Sequence, residues 1–416
     1  MKTIYISPSK SYAHRLLIAA ALSSKEIKIK CDVLNDDILA TTNALNALGA
    51  NIIYKSPYFY VNPIKDILQN NVINCIESGS TLRFIMPIAC ALGSNNTFIG
   101  CGELHKRPMD QLYNLLNTHN IKVEQETLFS LPSKCIGKLT PGKFTLNGNI
   151  SSQYLTGLLF ALPLLNGNSE VCIDGILTSK SYIDITLDVL KQAGIEVIVN
   201  NNTYYIKGNQ QYNLPEYMEV EGDWSGAAFW IGAGLLYKEP ICIKGLNINS
   251  TQGDKKIIDS LQSLGGKIEI NNNDIIAYPS KLVGDVEIDC IDIPDLVPII
   301  SLCAARSKGN VKLKNVGRLR FKESNRLNAI KELLMSINIL TDVKSNDLII
   351  KGETKDIVIN SNELNINTYN DHRIAMTSYI MSLLIDKEVQ INYSNTKCIS
   401  KSYMNFVDEF NKLFYE

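Results

Sequence analysis

The chain carries almost no net charge: 41 lysines and arginines stand against 42 aspartates and glutamates, for a formal −1. That balance argues against a nucleic-acid surface, which needs a basic stripe. No stretch approaches the roughly 20 apolar residues of a membrane span. Apolar segments such as 229–237 are far too short. The opening residues, Met1 to Pro8, hold no long apolar region and no small-residue cleavage site, so no signal peptide is expected. Histidine is scarce, with four residues at 14, 105, 119 and 372, and no two have metal-ligand spacing. No metal site is expected. The ten cysteines include no Cys-x-x-Cys pair, and most lie in apolar runs such as 88–92. They are expected to be buried, reduced thiols in a cytoplasmic protein.

What is present is ordinary in amount and regular in order. At 416 residues, 45% hydrophobic and 20% charged, the chain can bury a large core and is expected to split into two domains. One pattern recurs: an amphipathic helix, a turn, then a strand. The turn falls at Gly49, His119, Gly194, Gly265 and Asn338, at intervals of 70, 75, 71 and 73 residues, and a last copy fades out near Phe406–Phe410. Gly or Asn after a helix suits a left-handed cap, a fit that His119 meets poorly. Each unit also holds a second helix that is apolar nearly all round and is expected to be buried. Six units of about 70 residues account for the chain. The best boundary signal lies at 217–223, between the third unit and the fourth.

Cations and hydroxyls gather where these second helices begin. Ser7-Pro8-Ser9-Lys10-Ser11 with Arg15 opens one, with Ser11 as the expected cap. Free backbone N–H groups at such a start attract anions. Ser78-Gly79-Ser80-Thr81 with Arg83 repeats the arrangement, and Ser151-Ser152-Gln153 offers two hydroxyls and an amide. Arg107-Pro108 is expected to open a helix with proline in its first turn. Lys322-Glu323 with Arg326 would place a carboxylate and a guanidinium on one helical face at i, i+3. Asn370-Asp371-His372-Arg373 precedes another apolar helix, and Asp295 heads one as either a cap or a catalytic group. A site for a small, multiply charged anion follows from the set.

Taken in order from Ser7 to Lys401, these motifs resemble the 5-enolpyruvylshikimate-3-phosphate synthases of the enolpyruvyl transferase family. The resemblance implies an α/β fold: a two-lobed, inside-out α/β barrel of six βαβαββ repeats, three per lobe. Residues 11–221 would form the N-terminal lobe. Residues 1–10 with 222–416 would form the C-terminal lobe, the N-terminal strand included. It also implies transfer of the enolpyruvyl group of phosphoenolpyruvate to the 5-hydroxyl of shikimate 3-phosphate, by addition and then elimination of phosphate. Shikimate 3-phosphate would meet Lys10, Ser11, Arg15, Ser151, Ser152, Gln153, Ser179, Tyr182, Asp295 and Lys322. Phosphoenolpyruvate would meet Lys10, Gly79, Arg107, Gln153, Arg326, Arg373 and Lys401.

Lys10, Asp295 and Glu323 would share the acid and base work, and Arg83 would support its loop rather than touch ligand. No cofactor, metal, nucleic acid or membrane is implied, and a cytoplasmic monomer that glyphosate inhibits is expected. In the resembling family a small amide is usual where Glu77 stands, and Asp where Asn325 stands. The sister enzyme acting on UDP-N-acetylglucosamine uses a loop cysteine, which makes Cys101 the residue to watch; its apolar strand setting predicts packing. A non-catalytic anion receptor would gain nothing from Asp295 and Glu323 beside its anion.

Overall fold

A computed structural model of the chain describes residues 1–126, 131–148 and 151–416. These form two compact units, one of Met1–Ser9 with Glu221–Glu416, the other of Lys10–Val220.

The repeat is complete in residues 71–137. Strand Asn71–Asn74 runs into helix Gly79–Leu92 and strand Asn96–Ile99; helix Asp110–Asn117 and strands Ile121–Gln125 and Ser133–Gly137 follow. The first two strands pair in parallel, Asn71 opposite Asn96, and the rest pair antiparallel. Parallel pairing demands a crossover, and the buried helix supplies it. Five sheets share this four-stranded order. The sixth, among the described residues, keeps only the parallel pair Glu363–Ile366 and Gln390–Tyr393. That departs from six full repeats. The amphipathic helix Phe406–Phe414 follows this pair, and Phe406 and Phe414 pack on Trp230 with ring centroids at 4.9 and 6.4 Å.

Two sheets take their leading strand from far along the chain. Lys2–Tyr5 lies parallel to Ile241–Lys244, and Tyr217–Glu219 lies parallel to Ile27–Lys30. The chain therefore leaves the first unit after Ser9 and rejoins it at Glu221, and each unit still owns three sheets. The two passages are tied together: Ser9 N donates to Glu221 O at 2.7 Å, and Asp223 N donates to Ser7 O at 2.9 Å.

The apolar helices are core, as their all-round hydrophobicity requires. Helix Trp224–Leu236 buries twelve of its thirteen residues, and Val297–Ala305 buries all nine. Each fully buried large apolar side chain contributes about 1.5–3 kcal/mol before entropy is counted. Glycine permits the closest approaches. Pro87, inside helix Gly79–Leu92, has no N–H, so the Arg83 carbonyl lacks its helical donor. Gly157 of helix Ser152–Ala161 packs on that carbonyl, where a Cβ would collide.

The repeat turns are left-handed at Gly49, Gly194, Gly265 and Asn338. In the second copy the position is Asn120, at φ 65°, not His119. A short amide tolerates that conformation, and the His119 ring instead stacks on Phe144 at 3.7 Å.

Candidate active site

In the unit Lys10–Val220 four helix starts carry the expected anion-binding groups. Lys10 itself begins helix Lys10–Ala21, and its ammonium sits 2.8 Å from the Asp37 carboxylate. Ser11 is thus inside the first turn rather than the cap. One turn on, Arg15 is buried and points inward: Nε donates to Thr186 Oγ1 at 2.8 Å, Nη1 to Ser11 O at 2.7 Å, and Nη2 to Tyr182 O at 3.0 Å. Burial pulls its pKa down to about 10, which leaves it charged at neutral pH. Arg15 therefore braces Ser11 and Tyr182, and the structure does not bring its guanidinium to an open site. Burial also lowers His14 to about 3, so this ring is neutral. Its Nδ1 lies 2.7 Å from Thr41 Oγ1, which lies 2.7 Å from Thr81 Oγ1, which donates to Ser78 Oγ at 2.9 Å. A chain of hydroxyls thus joins this helix to the next start.

That start is Ser78-Gly79, with Ser78 as cap to Thr81 N. The Arg107 guanidinium lies directly over Gly79: a Cβ there would be 2.7 Å from Cζ and 3.1 Å from Nη2. Arg107 Nε has no hydrogen-bond partner among the described residues. The helix after Arg107 begins only at Asp110, so Pro108 stands outside it. Its carbonyl accepts from Arg83 Nη2 at 2.9 Å and from the Tyr154 hydroxyl. Arg83 Nη1 also donates to Gln153 Oε1 at 2.7 Å, and Gln153 Nε2 donates to Ser80 Oγ at 2.9 Å. Gln153 is therefore held in one orientation by two residues of the neighbouring helix Gly79–Leu92.

Ser151 caps helix Ser152–Ala161 by accepting from Gln153 N at 3.2 Å, and Ser152 is buried in its first turn. Ser179 precedes helix Lys180–Gln192 and adopts a left-handed backbone, φ 57° and ψ 41°. A non-glycine residue there bears strain of about 1–2 kcal/mol, and such strain clusters at functional sites. Thr178 Oγ1 donates to Gly148 O at 3.0 Å, which ties this turn to the end of strand Lys143–Asn147.

The other unit gathers its charges around one guanidinium. Arg326 opens helix Arg326–Met335 and is wholly buried. Its Nε and Nη2 fork onto Asp371 at 2.9 and 3.1 Å, Nη1 donates to Asp295 at 2.9 Å, and Nη2 donates to Glu323 at 2.7 Å. Burial works against that charge, but Asp371, Glu323 and Asp295 outweigh it and hold the arginine firmly protonated. Burial would likewise raise the Asp371 carboxyl; Arg326 overcomes this and keeps it below the ordinary range. Asp371 also caps helix His372–Ser382 by accepting from Arg373 N at 3.0 Å.

Asp295 is no cap: that position before helix Val297–Ala305 belongs to Leu296. Its carboxylate instead meets Lys322 at 3.2 Å, Arg326 at 2.9 Å and Arg373 at 3.1 Å. Burial lowers the Lys322 pKa, with Asp295 pulling the other way. Lys401 Nζ donates to Asn370 O at 3.2 Å, one turn before Arg373. Tyr369 and Asn370 are both left-handed, which makes that turn tight.

Several sequence expectations shift. Glu323 is not on the helix with Arg326; Asn325 caps the helix start by accepting from Asn328 N at 3.3 Å, and Glu323 reaches Arg326 from the preceding bend. Glu77 has its own task, since its carboxylate accepts from Glu103 N at 3.3 Å and lies against Gly102. Cys101 is exposed, because its strand ends at Ile99. Two groups went unread. Asp37, the partner of Lys10, sits in an acidic helix start that looks like ordinary capping. Asp254 is buried beside the carboxylate cluster, and nothing local in Ser250–Lys256 betrays it. No group of three or more histidine, cysteine or acidic residues is placed to hold a metal among the described residues.

Within Lys10–Val220 the hydroxyls and cations at helix starts can bind a phosphorylated anion, and within the other unit the ion-paired carboxylates can move protons. Comparison with known proteins gives the family. The family model for EPSP synthase (3-phosphoshikimate 1-carboxyvinyltransferase) matches residues 1–410. A 3-phosphoshikimate 1-carboxyvinyltransferase of Clostridium beijerinckii is 41% identical over 419 residues, which cover 99% of this chain and 94% of that protein. One of Clostridioides difficile is 39% identical, covering 99% and 94%. The solved EPSP synthase of Acinetobacter baumannii shares the fold, with a TM-score of 0.80 at 22% identity, covering 99% of this chain and 95% of that one. An enolpyruvyl transferase of Streptomyces tendae superposes at 0.78 with 17% identity, covering 100% and 95%. Matched along nearly its whole length, the chain belongs to the EPSP synthase (3-phosphoshikimate 1-carboxyvinyltransferase) family.

Proposed function

We propose that this chain catalyses the reaction for which its relatives are named, transfer of enolpyruvyl from phosphoenolpyruvate to the 5-hydroxyl of shikimate 3-phosphate with release of phosphate. The observation that carries the reading is the state of Asp295: it is not the cap of the helix that follows it, and three cations converge on its carboxylate beside Glu323. An anion receptor has no use for two carboxylates in that position. A transferase needs one to take a proton and one to give a proton.

In this reading Ser151, Ser152 and Ser179 hold the shikimate phosphate, with Lys10 and Ser11 nearby and Arg15 acting through Ser11 and Tyr182. Gln153 and Tyr182 border the ring. Lys10, Gly79, Arg107, Gln153, Arg326, Arg373 and Lys401 receive phosphoenolpyruvate. Asp295, set by Lys322, takes the proton of the attacking hydroxyl as its oxygen bonds to the enol carbon. Glu323, with Lys10, delivers a proton to the methylene carbon. The tetrahedral adduct then loses that proton and phosphate together, restoring the double bond. Fixed cations stabilise the charge at both steps. The enzyme acts in the cytoplasm as a monomer on small-molecule substrates. Among the described residues, no helix is long and apolar enough to cross a membrane.

The exposure of Cys101 favours one other reading, enolpyruvyl transfer to UDP-N-acetylglucosamine. Phosphate release with each acceptor separates the two. Turnover with shikimate 3-phosphate that survives Cys101→Ser supports the first. Turnover only with the UDP-sugar, lost in Cys101→Ser, supports the second.

A further inference from the structure

Asp254 is the buried carboxyl that the scheme above does not use. It lies in the short turn Gly253–Lys256 before helix Ile257–Ser263 and is 4% exposed. One oxygen accepts from the Ser225 hydroxyl, in the first turn of helix Trp224–Leu236. The other, Oδ1, has no donor among the described residues. The charges that face it come from three other elements: Asp223 before helix Trp224–Leu236, Asp295 before helix Val297–Ala305, and Arg373 on helix His372–Ser382. Arg373 is already engaged, with Nη1 donating to Asp295 O at 3.1 Å and Nη2 3.1 Å from Asp295 Oδ2.

A carboxylate so placed has lost water and faces two like charges, and the cation that answers them, Arg373, is shared with Asp295. Such a group keeps its proton. Burial first, then Asp295, push the Asp254 pKa up to about 7, against the pull of Arg373 and Ser225.

We propose that Asp254 is a proton-bearing positioning residue: neutral, it leaves Arg373 to Asp295 and to the carboxylate of phosphoenolpyruvate, and ionised, it competes for Arg373 and weakens phosphoenolpyruvate binding. The proton passes to solvent and returns, so nothing is consumed. This deepens the transferase reading and rests on it, because that reading sends the phosphoenolpyruvate carboxylate to Arg373.

The test is KM for each substrate from pH 6 to 9 in the wild type, Asp254→Asn and Ser225→Ala. Alongside it, the protonated-carboxyl band is followed in wild-type-minus-Asp254→Asn infrared difference spectra. In the wild type, KM for phosphoenolpyruvate should climb about tenfold more than in Asp254→Asn as pH rises through neutrality, the size of one ordinary electrostatic contact. KM for shikimate 3-phosphate should keep a constant ratio between the two. Ser225→Ala removes the one hydroxyl that favours the ionised form, so its climb should move to higher pH by on the order of one unit. It also tests the proposal if Asp254→Asn does not fold. Parallel phosphoenolpyruvate profiles in all three proteins, or no carboxyl band that titrates near neutrality, would overturn the proposal. A wild type that releases no phosphate at pH 6.5 would instead overturn the transferase reading, and the infrared titration would still decide whether Asp254 holds a proton.

Discussion

Gly79→Ala adds one methyl under the Arg107 guanidinium, and its effect can be worked from the geometry. The new Cβ would stand 2.7 Å from Cζ and 3.1 Å from Nη2, where ordinary carbon contacts begin near 3.5 Å. Nη1 is nearer still, so the guanidinium must retreat by about 1 Å. Arg107 can do so, since its Nε is bonded to nothing among the described residues. The fold should not suffer, because alanine suits a helix better than glycine by about 0.5–1 kcal/mol. The loss falls on the ligand. A hydrogen bond from a charged donor contributes about 1.5–3 kcal/mol, so losing half to all of one weakens binding roughly 4- to 150-fold.

KM for phosphoenolpyruvate should therefore rise by about tenfold. Inhibition by the longer glyphosate should weaken more, and KM for shikimate 3-phosphate should change less than twofold. The assay is phosphate release against varied phosphoenolpyruvate, with and without glyphosate, beside a thermal melt. Unchanged phosphoenolpyruvate and glyphosate constants in a folded Gly79→Ala would show that neither ligand uses the space between Gly79 and Arg107.

Other outcomes follow from the same geometry. Glu323→Gln should cut turnover at least about a hundredfold, the scale of losing a general acid or base, with an unchanged melt; near-normal kcat would remove Glu323 from the chemistry. Ser179→Gly relieves the left-handed strain and should raise stability by about 0.5–1 kcal/mol, yet on the proposed function it deletes a phosphate contact and should raise KM for shikimate 3-phosphate about tenfold. A gain in stability without that rise would make Ser179 a turn residue only. Asp371→Asn breaks a wholly buried pair and should cost about 3–5 kcal/mol at pH 7 by denaturant titration. The folded Asp371 pKa lies below the unfolded value, so its contribution is present above about pH 4 and is lost as pH falls through the folded value. The gap between wild type and variant should close in acid, and a gap that persists there would refute the ion-pair account.

Much of this was legible in the sequence because it is written locally. Helices such as Trp224–Leu236 are apolar all round, and that alone puts them in the core. Helix starts announce themselves through Ser, Gly and Asp, so the starts at Ser78-Gly79, Ser151-Ser152 and Asp371-His372 are legible, although Ser11 and Asp295 are not the caps they promise to be. Errors arose where two local signals competed. Asn325 won the cap from which Glu323 was counted onto the helix, and Asn120 rather than His119 took the left-handed turn. The partners that brace Arg15, Thr186 and Tyr182 O, lie some 170 residues away, where no local pattern reaches. Asp254 was missed for the same reason. Its burial and its neighbours Ser225, Asp295 and Arg373 exist only in the folded chain.

The central claim is that the ion-paired carboxylates and the helix-start anion sites serve one enolpyruvyl transfer. Phosphate release from phosphoenolpyruvate, measured with shikimate 3-phosphate and with UDP-N-acetylglucosamine for the wild type and Asp295→Asn, tests it most directly. The account predicts turnover with shikimate 3-phosphate alone, reduced at least about a hundredfold in a folded Asp295→Asn. No release with shikimate 3-phosphate, or equal release from Asp295→Asn, would contradict it.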